Sequence, residues 1–246
     1  MITNTRLLIV AAFFLLFISC NKEEEPLAQT GTFTDKRDNH EYKWVRIGNQ
    51  IWMAENFAYS PEIYPDTLNS GIWVARFQWI MSPDMSAEEK QKVREEQGCL
   101  YSWEKAKELC PAGWHLPTDE EWMQLEQHLG MKKDELANEG ERGVVERIGG
   151  QLKEAGTLFW YPPNRGATNT TGFTARPSGH HNYFARYPDA TFNFYEDYFT
   201  DVAFYWTSSS DGENAVIRYL HKSNYGIFRR KFSKDFGYSV RYIKNE

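Results

Sequence analysis

Short apolar runs near both ends of the chain predict β-strands. Residues 40–47 and 51–57 are rich in β-branched and aromatic side chains and flank the turn sequence Gly48-Asn49, which predicts a β-hairpin. Toward the C-terminus, similar runs are separated by Ser, Asn, Asp and Gly. These runs predict further strands over residues 203–208, 215–221, 227–232 and 238–243.

Helical spacing of apolar residues and capping sequences predict helices in the middle of the chain. Thr118 with Glu121 and Ser86 with Glu89 form two capping boxes, in which the cap side chain and the later glutamate each accept a hydrogen bond from the other residue's backbone. Gly130 ends the first of these helices, and the second is highly charged and exposed. Two further helices are predicted over residues 102–109 and 131–149.

The composition indicates one globular body. Aromatic residues make up 16% of the chain, which is enough for a sizeable core. The net charge of −6 argues against a generally basic nucleic-acid-binding protein, so we expect no nucleic-acid partner. We expect one domain over residues 33–246, in which residues 61–97 form an insertion.

The N-terminal residues have the pattern of a secretory signal peptide. Arg6 precedes an apolar run over residues 7–18, and Ser19 supplies a small residue before Cys20. The run is too short for a membrane-spanning helix. We therefore expect residues 1–19 to be removed.

Cys20 directly after a small residue resembles the bacterial lipobox, in which the thiol is acylated before cleavage. The alternative is an ordinary signal peptide with an incidental cysteine. Two or three acyl chains would give a stable membrane anchor. Residues 20–32 then form the acylated cysteine and a flexible tether. Lys22-Glu23-Glu24 resembles the signal that sends lipoproteins of the Bacteroidetes to the outer surface of the outer membrane, so we expect cell-surface exposure.

The remaining cysteines, Cys99 and Cys110, form an even pair in an oxidising compartment. They flank the predicted helix over residues 102–109, and a disulfide between them would close a short loop. Two separate buried thiols or a metal pair are the alternatives. A metal pair lacks the two further ligands that a tetrahedral site needs.

Five strings of residues carry a family resemblance. They are IGNQIWMAEN at 47–56, GCLYSW at 98–103, CPAGWHLPT at 110–118, GFTA at 172–175 and GYSVR at 237–241. In this order they resemble the Fibrobacter succinogenes major paralogous domain, which is abundant in secreted and lipid-anchored bacterial proteins. The resemblance covers residues 32–244. Many members have a cysteine where this chain has Tyr242, and the 61–97 insertion is longer than the family leads us to expect.

The resemblance implies an α+β fold similar to that of the C-type-lectin-like group. In such a fold, two main helices pack on a twisted, mostly antiparallel sheet beside a long irregular loop region. The resemblance implies no settled activity.

Aromatic residues between 156 and 201 are the main ligand-binding candidates. This stretch has little periodicity and many turn formers, which is typical of functional loops. Rings in such loops can stack on sugars or grip a protein partner, or they can fill a secondary core. By contrast, we expect five tryptophans in motif strings or predicted regular structure to be core residues, namely Trp52, Trp103, Trp114, Trp122 and Trp206. The loop candidates are Trp160, Tyr161, Tyr183, Tyr187, Tyr195 and Tyr198.

Charged clusters suggest further sites. Residues 216–246 carry an excess of basic side chains, which would either attract an anionic glycan or pair with the acidic helices. His180 and His181, with Glu196, Asp197 and Asp201, form a candidate hydrolytic or metal cluster without a spacing motif. The acidic turn after residue 210 offers oxygen ligands for Ca²⁺, through Asp211, Glu213 and Asn214.

The sequence therefore predicts a lipid-anchored recognition or adhesion module that binds glycan or protein through aromatic-rich loops. We expect no catalytic residues and no resident cofactor, with Ca²⁺ as the possible exception. One alternative is an extracytoplasmic hydrolase or oxidoreductase that uses the region from His180 to Asp201. A structural subunit of the envelope is the other.

Overall fold

The apolar runs at both ends of the chain form antiparallel sheets in the computed structural model, which describes residues 29–61, 71–74, 86–182 and 200–245. The strands are β1 (Thr30–Asp35), β2 (His40–Ile47), β3 (Gln50–Met53), β4 (Ile72–Val74), β5 (Cys99–Tyr101), β6 (Trp114–His115), β7 (Gly140–Arg142), β8 (His181–Asn182), β9 (Val202–Asp211), β10 (Asn214–His221), β11 (Ile227–Ser233), β12 (Phe236–Gly237) and β13 (Ile243–Lys244). The helices are α1 (Ala87–Gln97), α2 (Trp103–Glu108), α3 (Asp119–His128) and α4 (Ile148–Leu152).

Two larger sheets organise the described residues. One has the order β1-β2-β3-β13-β6 and the other β7-β11-β10-β9. Two smaller sheets pair β12 with β8 and β4 with β5. All pairs of named strands are antiparallel. With four helices beside mostly antiparallel sheets, the architecture agrees with the coarse α+β prediction.

The predicted hairpin over 40–57 is confirmed by β2 and β3, and the first three C-terminal runs are confirmed by β9, β10 and β11. The run over 238–243 is a partial error. It is extended backbone with isolated bridges from Tyr238 to Tyr101 and from Ser239 to Tyr205, and only its last residue enters β13. All six side chains of this run are buried, and the run therefore has the apolar, aromatic composition of a strand without forming one along its length.

Three of the four predicted helices are confirmed. Capping boxes start α1 at Ser86 and α3 at Thr118, and α2 lies inside the predicted 102–109 range. The helix predicted over 131–149 is wrong, because turns and β7 occupy most of that stretch. Gly143 has φ of 59°, a conformation that ends regular helix, and β7 pairs with β11 instead. None of the helices in the described ranges is long and apolar enough to cross a membrane.

The core has two clusters, which meet along the sheets. One lies around β3, β5, α2 and β10, and the other packs α3 and α4 on β2, β9 and β10. Five tryptophans of the motif strings, of α3 and of β9 are buried, as the sequence predicts. They are Trp52, Trp103, Trp114, Trp122 and Trp206.

A buried ionic network attaches α3 to the four-stranded sheet. Glu126 accepts hydrogen bonds from Arg142 at 2.8 Å and from Arg218 at 2.6 Å, and all three side chains are almost fully buried. Asp119 is the first residue of α3. Its carboxylate pairs with the guanidinium groups of Arg218 at 2.7 Å and Arg229 at 2.6 Å. These two basic residues of 216–246 therefore pair with an acidic helix, as one of the two sequence-based interpretations has it.

We expect Glu126→Gln to destabilise the fold by about 3–5 kcal/mol, because it leaves the buried Arg142 guanidinium without a carboxylate and removes one of the two that Arg218 contacts. The measurement is urea unfolding followed by tryptophan fluorescence. Lys231→Met is the matched control, because it breaks the exposed Lys231–Asp211 pair and should leave the midpoint almost unchanged. Equal midpoints for the two variants would contradict a stabilising role for the network.

Candidate functional site

Arg241 lies where three of the five motif strings meet. Its guanidinium is fully buried and donates hydrogen bonds to the side-chain oxygen of Asn56 at 2.8 Å and to the backbone carbonyl of Met53 at 3.1 Å. It also donates to the carbonyls of Phe173 at 2.7 Å and Thr174 at 2.8 Å. The Arg241 side chain thus joins three motif strings through its hydrogen bonds.

The two described cysteines do not form the predicted disulfide. The Cys99 sulfur lies 3.5 Å from the carbonyl oxygen of Ala58, whereas the Cys110 sulfur lies 3.0 Å from that of Trp114. Each thiol therefore has its own carbonyl acceptor, and the alternative of two separate thiols holds. Burial raises the pKa of Cys99 to about 11 and that of Cys110 to about 12.

Tyr242 has a structural role at the position where many family members have a cysteine. Its buried hydroxyl donates a 2.6 Å hydrogen bond to the carbonyl of Ala106 in α2. This bond ties the C-terminal segment to the helix that lies between the two cysteines. In this chain, a hydrogen bond from Tyr242 thus connects the C-terminal segment with α2.

Two neighbouring loop candidates, Trp160 and Tyr161, have opposite environments. Trp160 is 1% exposed and donates from its indole nitrogen to the carbonyl of Ala175 at 2.9 Å, so it fills a core position. Tyr161 is 61% exposed, and the Lys222 ammonium lies 4.4 Å from its ring centroid. The other four candidates, Tyr183, Tyr187, Tyr195 and Tyr198, lie outside the described residues.

The exposed ring belongs to a surface that we call the Tyr161 surface, defined by Leu158, Tyr161, Arg165 and Lys222. Leu158 is 87% exposed, and Arg165 is exposed. The Arg165 amide donates to the carbonyl of Lys222 at 2.6 Å, which joins the 158–166 loop to the turn between β10 and β11. An exposed ring, an exposed aliphatic side chain and two cations thus share one surface.

Lys153 fastens this surface to the body of the protein. Its side chain is buried, and its ammonium donates to the carbonyls of Arg165 at 2.8 Å, His221 at 3.1 Å and Asn224 at 2.9 Å. Burial lowers the pKa of Lys153 to about 8. One cation therefore holds both segments that carry the Tyr161 surface.

The candidate catalytic cluster is only partly described. His181 is buried and stacks on Trp73 with ring centroids 4.0 Å apart, and burial together with His180 lowers its pKa to about 4. Asp201 is buried and paired with Lys222 at 2.7 Å. Glu196 and Asp197 lie outside the described residues. Of this cluster, the structure therefore describes an imidazole stacked on Trp73 and a carboxylate paired with lysine.

The described residues contain no group of three or more His, Cys, Asp or Glu side chains arranged for a metal ion. At the turn considered for Ca²⁺, the Asp211 carboxylate accepts a 2.8 Å hydrogen bond from Lys231, which lowers the pKa of Asp211. Lys234 also donates to the Gly212 carbonyl in this turn. Two lysine ammonium groups therefore contact oxygens of this turn.

Comparison with known proteins agrees with the motif strings. The model of the Fibrobacter succinogenes major domain matches residues 45–244. No curated protein and no solved structure gives a significant match.

We expect two free thiols in the fragment of residues 21–246, which retains Cys99 and Cys110. Both should react with a thiol reagent in guanidinium chloride. In the native protein at neutral pH the reaction should be slow, because buried thiols with raised pKa values form little thiolate. The measurement is a colorimetric thiol count with and without denaturant. A count near zero in denaturant without reductant would show that the two cysteines are bridged.

Proposed function

The chain belongs to the Fibrobacter succinogenes major domain family, and from this premise we propose that it is a lipid-anchored recognition module on the cell surface. In this proposal, a scaffold similar to C-type lectins presents aromatic-rich loops to a glycan or protein ligand. The single observation that carries the proposal is Tyr161, an exposed ring at a rigidly held surface.

The order of the Tyr161 surface supports a binding role. A loop that must become ordered on binding loses affinity, because fixing each residue costs conformational entropy. Here the Lys153 ammonium holds the loop and the neighbouring turn before any ligand arrives. The cation near the Tyr161 ring fixes that side chain further.

The chemistry of the surface favours a glycan as ligand. A sugar presents C–H groups on one face and hydroxyl groups around its edge, which suits a ring flanked by hydrogen-bond donors. Tyr161 supplies the ring, and Arg165 and Lys222 supply donors. If the ligand is a protein, a flat protein surface would contact Leu158 as well, because that side chain is 87% exposed.

The proposed location follows from the leader. Acylation of Cys20 would place the body a short tether away from the outer membrane, since β1 begins at Thr30. A module in this position would meet ligands outside the cell. The membrane is then a partner through the lipid alone.

We expect the mature protein to begin at an acylated Cys20. Mass spectrometry of protein purified from membranes should show a mass above that of the chain from residue 20 by two or three acyl groups. Cys20→Ser should abolish this mass increase and release the protein from the membrane fraction. Recovery of an intact Met1, or of an unmodified Cys20 thiol on membrane-bound protein, would contradict the anchor.

We expect the fragment of residues 21–246 to bind a subset of glycans on an array and Tyr161→Ala to weaken that binding about tenfold, the loss typical of a central contact residue. Tyr161→Phe should retain most of it, because the ring remains. Val145→Ala is the matched control, since Val145 is 82% exposed but lies outside the Tyr161 surface. Unchanged binding by Tyr161→Ala, or no binding to any glycan, would argue against this site.

A further inference from the structure

A cleft lies between α1 and the turn that joins β1 to β2. This cleft has a volume of about 500 Å³, within the range of small-ligand sites. The side chains that matter for its chemistry are those of Asp38, Asn39, His40, Gln91 and Arg94. None of them belongs to the Tyr161 surface.

The walls of the cleft are held together by Arg94 of α1. Its guanidinium donates to the carbonyl of Ala58 at 2.5 Å and to the Asp38 carboxylate at 3.2 Å. Asp38 in turn accepts from the backbone amide of His40 at 3.1 Å. The helix and the turn are therefore fixed relative to each other without a ligand.

Three charged side chains that line the cleft, those of Asp38, Arg94 and Glu95, each have a hydrogen-bond partner. The Asp38 carboxylate is paired with Arg94. The Glu95 carboxylate accepts a 2.9 Å hydrogen bond from the Gln91 amide. Asp38 and Arg94 offset each other's charge, and Glu95 is exposed, so water and salt weaken its attraction for an ionic ligand. The cleft thus favours a ligand without net charge.

The remaining hydrogen-bonding capacity suits hydroxyl groups. An amide side chain has two N–H donors and an acceptor oxygen with two lone pairs, so Gln91 retains one donor and its acceptor after bonding Glu95. Asn39 offers an exposed amide at the tip of the turn. A hydroxyl group both donates and accepts, and therefore matches amide side chains of this kind.

One wall of the cleft carries a flat ring. The His40 imidazole is half-buried and packs on the ring of Tyr42, with centroids 4.3 Å apart. Pro61 supplies an exposed apolar surface on the same cleft. These groups can contact the C–H face of a sugar while the amides bind its hydroxyls.

We propose that this cleft binds a short neutral saccharide, as a site separate from the Tyr161 surface. The 61–97 insertion supplies α1 and thus Gln91 and Arg94, while the β1–β2 turn supplies Asp38, Asn39 and His40. Among the described side chains of α1, only Val93 and Gln97 are buried. The helix therefore contributes mainly a polar surface to the fold, as a wall of a polar site would.

The test is a titration of isotope-labelled protein, residues 21–246, followed by amide chemical shifts. The probes are cellobiose, lactose and chitobiose at about 10 mM, tenfold above a 1 mM dissociation constant. Glucuronic acid and glucosamine serve as charged comparators. We expect at least one neutral disaccharide to shift the amides of residues 38–40 and 91–95, and to bind more tightly than both charged sugars.

Two variants remove ligand contacts at little cost to folding. Asn39 has φ of 60°, which glycine adopts readily, and Gln91 is exposed in a helix, where alanine is well tolerated. Asn39→Gly and Gln91→Ala should each raise the dissociation constant roughly five- to tenfold, the effect of losing a hydrogen bond. The matched control is Lys92→Ala, at the next exposed position of the same helix, which should bind like the unchanged protein.

The absence of shifts with every neutral sugar would overturn the proposal. So would a preference for the charged sugars, or binding that Asn39→Gly and Gln91→Ala leave unchanged. Tyr161→Ala separates the two sites, because it should not affect the cleft. Disaccharide binding that is lost in Tyr161→Ala and kept in the cleft variants would overturn the cleft proposal while supporting the Tyr161 surface.

Discussion

Buried guanidinium groups are the interaction on which the rest of this structure depends. Arg241 donates hydrogen bonds to carbonyl and amide oxygens of two segments, 53–56 and 173–174, that are far from it and from each other in the sequence. An arginine has five N–H donors in a rigid plane, so one side chain can satisfy several backbone carbonyls that lack strand partners. This explains how a fold with short strands and long connections keeps its buried backbone groups paired.

The same principle extends to the loops. Arg142 and Arg218 converge on Glu126, and Lys153 bonds to three carbonyls beneath the surface that carries Tyr161. In each place, a cation in the interior joins segments that are far apart in the sequence. The cost of burying the charge is offset by the number of hydrogen bonds that it makes. The exposed side chains above are then free to vary without loss of the fold.

Local signals allowed much of the fold to be predicted, and contacts distant in sequence account for what was missed. The capping boxes at Ser86 and Thr118 and the Gly48-Asn49 turn act within a few residues, so a sequence shows them directly. The segment over 131–149 has helical composition, but turns and the short β7, which pairs with the distant β11, occupy most of it. Similarly, spacing alone does not reveal that the thiols of Cys99 and Cys110 have separate acceptors.

The candidate site shows the same limit most clearly in two adjacent residues. Trp160 and Tyr161 lie in one aperiodic loop, so no pattern separates the buried ring from the exposed one. What separates them is the Ala175 carbonyl, which accepts from the Trp160 indole and fixes that ring inside the core. Once the tryptophan is held there, the next side chain must leave the core on the other side of the backbone. The position of the exposed ring therefore follows from that of the buried one, and the Tyr161 surface rests on the packing beneath it.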